Sequence, residues 1–166
     1  MAAEPDPLAW AEVNADFFED VRYYPNSSEP AFISQVIENW REAGRLATGR
    51  DDIEFAAAFT RHLTKRGTGL PVNFFLAATR DEVRAFEFNP QNAAHPISLT
   101  LAQVGDPLHT WPRGMVRCDG VEKGRLAYGM TLHLVGDTSI PCRAPRFPQN
   151  PAAAYAVSQL GGELPR

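Results

Sequence analysis

Cationic and aromatic side chains gather in one part of the sequence, where Trp111, Arg113, Arg117, Lys123, Arg125 and Tyr128 follow one another over less than twenty positions. Carried on two neighbouring strands, Trp111, Arg113, Arg117, Arg125 and Tyr128 would form a polar-aromatic binding strip, and they would equally suit a solvated sheet face. The histidines are His62, His95, His109 and His133. None has a second ligand at helical or alternate-strand spacing, and neither HxH nor HExxH occurs, so no metal and no other cofactor is expected. His133 alternates with Leu132 and Leu134, which puts it on the wet side of a strand whose dry side holds Met130, Leu132 and Leu134. GxSxG, a dinucleotide fingerprint and a recognisable Cys/His signature are all missing. Any catalysis therefore has to come from groups that meet only in the fold. The link Lys65-Arg66-Gly67-Thr68-Gly69 has phosphate-loop composition but follows a helical pattern instead of preceding one. An anion there would face the negative end of the helix dipole, so the segment reads as a helix stop.

Several elements must position these groups. Asp6 followed by Pro7 starts a helix whose apolar positions are Trp10, Val13, Phe17, Val21 and Tyr24, ended by Pro25. Ser28 caps a second helix, with Pro30 in its first turn and Phe32, Ile33, Val36, Ile37, Trp40 and Ala43 as its stripe, up to Gly44. Asp51 and Glu54 have capping-box spacing and open a third helix through Phe55, Ala56, Phe59 and Leu63, although a segment this short also fits a strand. Next comes a β-hairpin: Val72 to Ala78 and Val83 to Phe88 flank a turn at Thr79, Arg80, Asp81 and Glu82. Phe74, Leu76 and Ala78 share one face of its first strand and Phe75 and Ala77 the other, so this strand is apolar on both sides.

Further strands follow at Pro96 to Ala102, Met115 to Cys118, Leu126 to Val135 and Thr138 to Arg143. Turns are expected at Gly105-Asp106-Pro107, Asp119-Gly120, Lys123-Gly124 and Gly136-Asp137. Asn150 and Pro151 start a last helix, with Ala153, Ala154, Val157 and Leu160 in a stripe before Gly161-Gly162. Strands at hairpin distances give an antiparallel sheet. The boundary falls at Gly67-Thr68-Gly69, between a helical extension over residues 1–66, packed on the same core, and a β domain over 70–162.

Sixteen basic against twenty acidic residues leave a net charge of −4, which argues against a nucleic-acid partner bound by charge. The acidic excess lies in residues 1–30, where Glu4, Asp6, Glu12, Asp16, Glu19, Asp20 and Glu29 face a single base, Arg22, a net of −6 against +2 for the rest of the chain. That pattern fits a solvated helix face. Cys118 and Cys142 lack CxxC spacing and alternate in phase with Val116 and Ile140, as small buried hydrophobes do. The start MAAEPDP has no basic and apolar leader, and no run of 18 apolar residues occurs, so a soluble cytoplasmic protein without membrane insertion is expected.

The hairpin FFLAATRDEVRAFEF, then TLHLVGDTSIPCR and the final PQNPAAAYAVSQLGG, resemble the first hairpin, the late strand-turn-strand and the closing helix of bacterial pleckstrin-homology-like (PH-like) domains over roughly residues 70–162. The resemblance implies an α+β protein: amino-terminal helices, then an antiparallel PH-like β-barrel or bent sheet capped by a carboxy-terminal helix. It also implies a non-enzymatic module that binds a protein or peptide partner. Phosphoinositide binding is not expected, because Arg80 and Arg84 stand beside Asp81 and Glu82. A homo-oligomer is compatible with the pattern. Two alternatives remain. One is a cone-shaped α+β fold like the nuclear-transport-factor-2-like proteins, with a pocket of about 300 Å³ or more in which His133, His109 and Asp137 do acid-base work and Arg113 takes an anionic group. The other is a structural subunit of a larger assembly.

Overall fold

In the computed structural model, which describes residues 6–19, 28–62, 69–88, 104–124, 127–134, 138–145 and 151–165, the carboxylate of Asp6 accepts the Leu8 and Ala9 amides at 3.0 and 3.3 Å. This cap opens α1, Pro7–Asn14. A 3-10 turn, Ala15–Phe18, follows it. Adjacent Phe17 and Phe18 are both buried, which a continuing α-helix, stepping them about 100° apart, would not favour. The α-helix is thus shorter than the sequence pattern suggests, and Val13, assigned to its apolar stripe, is 75% exposed. Val21 and Tyr24 lie outside the described residues.

Helix α2, Pro30–Thr48, buries Ile33, Val36, Ile37, Trp40, Ala43 and Gly44. Two boundaries differ from expectation. Its N-cap is Glu29, which makes no side-chain cap bond, instead of Ser28. The helix also passes through Gly44 and stops at Gly49, whose φ of 71° and amide bond to the Arg45 carbonyl make the left-handed cap. Gly44 serves contact: a Cβ there would lie 3.0 Å from Ala56 Cβ and 3.0 Å from Ile53 Cγ2. The glycine therefore sets how closely α2 lies on the sheet.

That sheet begins earlier than the sequence suggests. Residues Phe55–Arg61 are a strand, β1, and the expected third helix is corrected. Alanine is a poor strand former, but β propensity yields to burial on two faces. All of Phe55 to Phe59 is buried, with α2 and α3 (Pro151–Gln159) both packed on the strand. The helical extension expected over 1–66 therefore ends in a strand that belongs to the sheet.

The other strands are β2 Asn73–Ala78, β3 Glu82–Phe88, β4 Val104–Pro112, β5 Arg117–Lys123, β6 Ala127–Leu134 and β7 Thr138–Pro145. Their order is β4-β3-β2-β1-β7-β6-β5, antiparallel throughout, with β4 and β5 at the two edges among the described residues. The β2–β3 hairpin matches expectation. Its turn closes by the Thr79 amide donating to the Glu82 carbonyl, and Thr79 Oγ1 accepts the amides of Asp81 and Glu82. Strand β4 does not match, because it absorbs the expected Gly105-Asp106-Pro107 turn. Proline is tolerated there on an edge strand, beside a register shift against Phe86. Asp119-Gly120 is likewise no turn but a bulge inside β5, with Gly120 at φ 63°. The expected strand from Pro96 to Ala102 lies outside the described residues.

The sheet is bent on itself. Phe59 and Phe74, Leu76 from β1 and β2 line one gap together with Cys118, Met130, Leu132 and Cys142 from β5, β6 and β7, and the gap is too small to admit a water. On the opposite face Trp40 stacks on Phe75 at 6.2 Å and also meets Phe88. In α3 every residue from Pro151 to Val157 is buried, and the Leu160 carbonyl just beyond it accepts the Cys118 amide. The protein is thus α+β, with helices at both ends and a bent, open seven-stranded antiparallel sheet among the described residues followed by the last helix, consistent with a PH-like fold.

Two expected outcomes follow from this packing. Gly44→Val should lower stability by about 2 kcal/mol in urea denaturation, whereas Leu46→Ala, at an exposed position of the same helix, should shift it by less than about 0.5 kcal/mol. Burial pushes both thiols, Cys118 and Cys142, up to about 12. Neither should react with a disulfide reagent in the native protein at neutral pH, and both should react in denaturant.

Candidate functional site

Alternation along the last three strands builds a polar face opposite the dry one. Cys118, Met130, Leu132, Ile140, Cys142 and Ala144 point into the bend. Their neighbours Arg117, Asp119, Thr131, His133, Ser139, Pro141 and Arg143 take the outer face. Register aligns them in rungs. His133 stands between Arg117 and Ser139, Thr131 between Asp119 and Pro141, and Gly129 pairs with Arg143, which in turn pairs with Thr60 of β1.

Four of these side chains form a continuous relay. Arg117 Nη1 donates to Asp119 Oδ2 at 2.6 Å, Asp119 Oδ1 lies 2.8 Å from His133 Nε2, and His133 Nδ1 lies 2.9 Å from Ser139 Oγ. A carboxylate only accepts, so Nε2 carries the hydrogen. In the neutral ring Nδ1 is then an acceptor, and the Ser139 hydroxyl donates to it. The bulge at Gly120 immediately follows Asp119, where such a kink re-aims a side chain. The His133 hydrogen bond, with Arg117 second, holds the Asp119 carboxyl below the usual carboxylate range. The relay is accessible: Arg117 is 60% exposed, Asp119 46% and His133 27%.

A cleft of about 180 Å³ opens at the β1 side of this face. Among the described residues strand β1 pairs with β7 at Thr60↔Arg143 and Arg61↔Cys142, and the His62 amide reaches the Pro141 carbonyl at 2.9 Å. Thr60, Arg61, His62, Pro141, Cys142 and Arg143 line the opening. Arg61 is held by the carbonyls of Leu70 and His62. Arg143 is exposed and has no ion-pair partner among the described residues.

The side chains expected to act together are dispersed. Arg113 donates to Glu54 and, at 2.8 Å, to the Thr79 carbonyl, and it lies over the Phe55 ring at 5.2 Å. Its charge is thereby spent inside the protein. Trp111 is half-buried and stacks on His109 at 5.3 Å, while His109 Nε2 is 2.9 Å from the Gly69 carbonyl. Tyr128 is buried against Phe17 at 4.9 Å and belongs to the core. Of the four that are described, Arg117 alone joins the outer face. Arg125 and Asp137 lie outside the described residues. His109 and His133 have no partner in common among the described residues, so the acid-base grouping of the cone reading is not assembled from them.

Asp119, Ser139, Arg61 and Arg143 were not singled out by sequence reasoning. A row of polar residues at alternate positions in the last two strands was the signal available for Ser139 and Arg143. Among the described residues no group of His, Cys, Asp and Glu is placed to hold a metal ion, and no helix is long and apolar enough to cross a membrane.

No protein-family model matches the chain, and no curated relative matches it. A solved structure of the complex of PDZ-RhoGEF DH/PH domains with GTP-gamma-S-activated RhoA has 8% sequence identity and a TM-score of 0.36. The match covers 93% of this chain and 38% of that one, so this chain spans well under half of its length. A likeness of that size carries no inference about function.

Because the folded Asp119 carboxyl is held low, its contribution to stability is complete above the usual carboxylate range and is lost as pH falls through the folded value. Asp119→Asn should therefore lower the urea midpoint near neutral pH, at about pH 7, and the gap to the native protein should narrow as pH falls below the usual carboxylate range. A gap that stayed constant across this range would mean that the carboxylate charge is not what the relay uses.

Proposed function

We propose that the protein is a PH-like, non-enzymatic interaction module that binds a protein or peptide partner. The partner lies on the outer face of β5–β7 and places an acidic side chain in the β1–β7 cleft. The observation that carries this reading is Arg143, an exposed guanidinium without an ion-pair partner among the described residues, at the mouth of a cleft that also holds Arg61 and His62. A planar guanidinium suits a carboxylate bound through two parallel hydrogen bonds.

The filled interior supports docking over pocket chemistry, since rings occupy the space under α2 and the bend admits no water. The cations of the first hairpin are poor headgroup ligands, because Arg84 Nε is bound at 2.7 Å to Glu82 and Arg80 adjoins Asp81.

A displayed library of random peptides selected against the full chain should enrich Asp- or Glu-containing sequences. Their binding should weaken about tenfold or more with Arg143→Glu and fall as salt rises. Selection of sequences without acidic residues, or equal binding by Arg143→Glu, would overturn the proposal.

A further inference from the structure

The geometry points to Ser139 as an acyl-accepting nucleophile, activated by His133 and served by activated esters as a chemical class. This goes beyond docking and does not depend on the cleft. Three features of the relay carry it. Asp119 fixes the ring through Nε2 at 2.8 Å, so the lone pair of Nδ1 faces the Ser139 hydroxyl at 2.9 Å. Ser139 is exposed on an open face, where an ester can approach. Arg117 stands in the rung opposite His133 and is 60% exposed. It donates Nη1 to Asp119 and so holds the carboxylate that orients the ring.

This is the order of roles in which a serine becomes reactive: nucleophile, base, then a carboxylate that orients the base. It arises across three adjacent strands instead of at a loop, and the ladder already uses much of the backbone N–H supply. The expected chemistry is therefore acylation of Ser139 rather than rapid turnover.

The step balances with an ester that has a good leaving group. Ser139 Oγ attacks the acyl carbon while its proton passes to His133 Nδ1, giving a ring cation bracketed by Asp119. Collapse of the tetrahedral species breaks the bond to the leaving oxygen, which departs with its electron pair as the alkoxide or phenolate. The ring then returns its proton to solvent, leaving an acyl ester on Ser139.

The test uses the full chain and 4-nitrophenyl acetate, with nitrophenolate release followed by absorbance and the acetylated residue located by peptide mass spectrometry. Ser139 should be acetylated at least about a hundredfold faster than any other serine, the low end of what a positioned base supplies. His133→Gln should reduce the rate to that of the other serines. Asp119→Asn should slow it about tenfold or more, by releasing the tautomer. Ser139→Ala removes one exposed oxygen, should leave the circular dichroism unchanged, and should eliminate the label. A network that is only structural would give none of these kinetic effects. Acetylation of Ser139 at the rate of the other serines, or a rate unchanged in His133→Gln, would overturn the inference.

Discussion

Burial of β1 on both faces is the constraint on which the rest of the structure depends. The strand lies at the middle of the sheet order, and Phe55 to Phe59 are all inaccessible. Small side chains make this possible. Ala56 and Ala58 alternate with Phe55, Ala57 and Phe59, and Ala56 lies where Gly44 of α2 brings backbone close. Bulkier groups at either place would lift the helix from the sheet, in an interior packed as densely as an organic crystal. Polar ties fix the start of the same strand. Arg41 Nε reaches the Ile53 carbonyl at 3.3 Å, and Glu54 is the partner of Arg113 from the far edge of the sheet.

The pairing of β1 is lopsided, and the cleft follows from that. It matches β2 along six rungs and β7 along two. The sheet can therefore fold about the short seam, bringing β2 against β5 and β6 to fill the bend. The cleft opens at the same seam, between Thr60 to His62 and Pro141 to Arg143. Arginines in and beside the sheet are used differently. Arg113 and Arg84 are bound to carboxylates, whereas Arg143, whose rung neighbours are Thr60 and Gly129, is left facing solvent. Ser139, Pro141 and Arg143 run along one strand face, with a spacing of about 7 Å per pair of residues. The relay and the cleft are thus two ends of one surface about 13 Å long.

Much of the architecture could be read from residue order. The β2–β3 hairpin was legible because a two-residue period apolar on both sides surrounds a Thr-Arg-Asp turn, and α2 because its stripe keeps the helical period for about three turns. Strand β1 was hidden by its alanines, which have helical propensity and no visible alternation, since both faces are dry. Strand β4 was hidden by Gly105, Asp106 and Pro107, a strong turn signal that an edge strand accommodates through a register shift. His133 was placed correctly on the polar side of its strand. Its partners were not legible, because Asp119 sits in an Asp-Gly pair that reads as a turn, and a single serine has no spacing to mark it. Arg61 and Arg143 meet only through strand pairing across 82 positions, which no local pattern encodes.

An open sheet keeps two edges, and their chemistry bears on how a partner can be recognised. Strand β4 carries Pro107 and Pro112, which lack the N–H a new strand would need, and two register shifts distort its line. Strand β5 carries Arg117, Asp119, Glu122 and Lys123, bulges at Gly120, and has its Cys118 amide already bound to the Leu160 carbonyl. Addition of a strand at either edge would forfeit ladder bonds and bury charge, costs that main-chain pairing alone would have to offset. Side chains on the outer face of β5–β7 carry no such penalty, because Arg117, Ser139, Pro141 and Arg143 are already exposed there. Recognition by side-chain chemistry on that face is therefore the less costly route, and it is the face on which Arg143 and the Ser139 relay both lie.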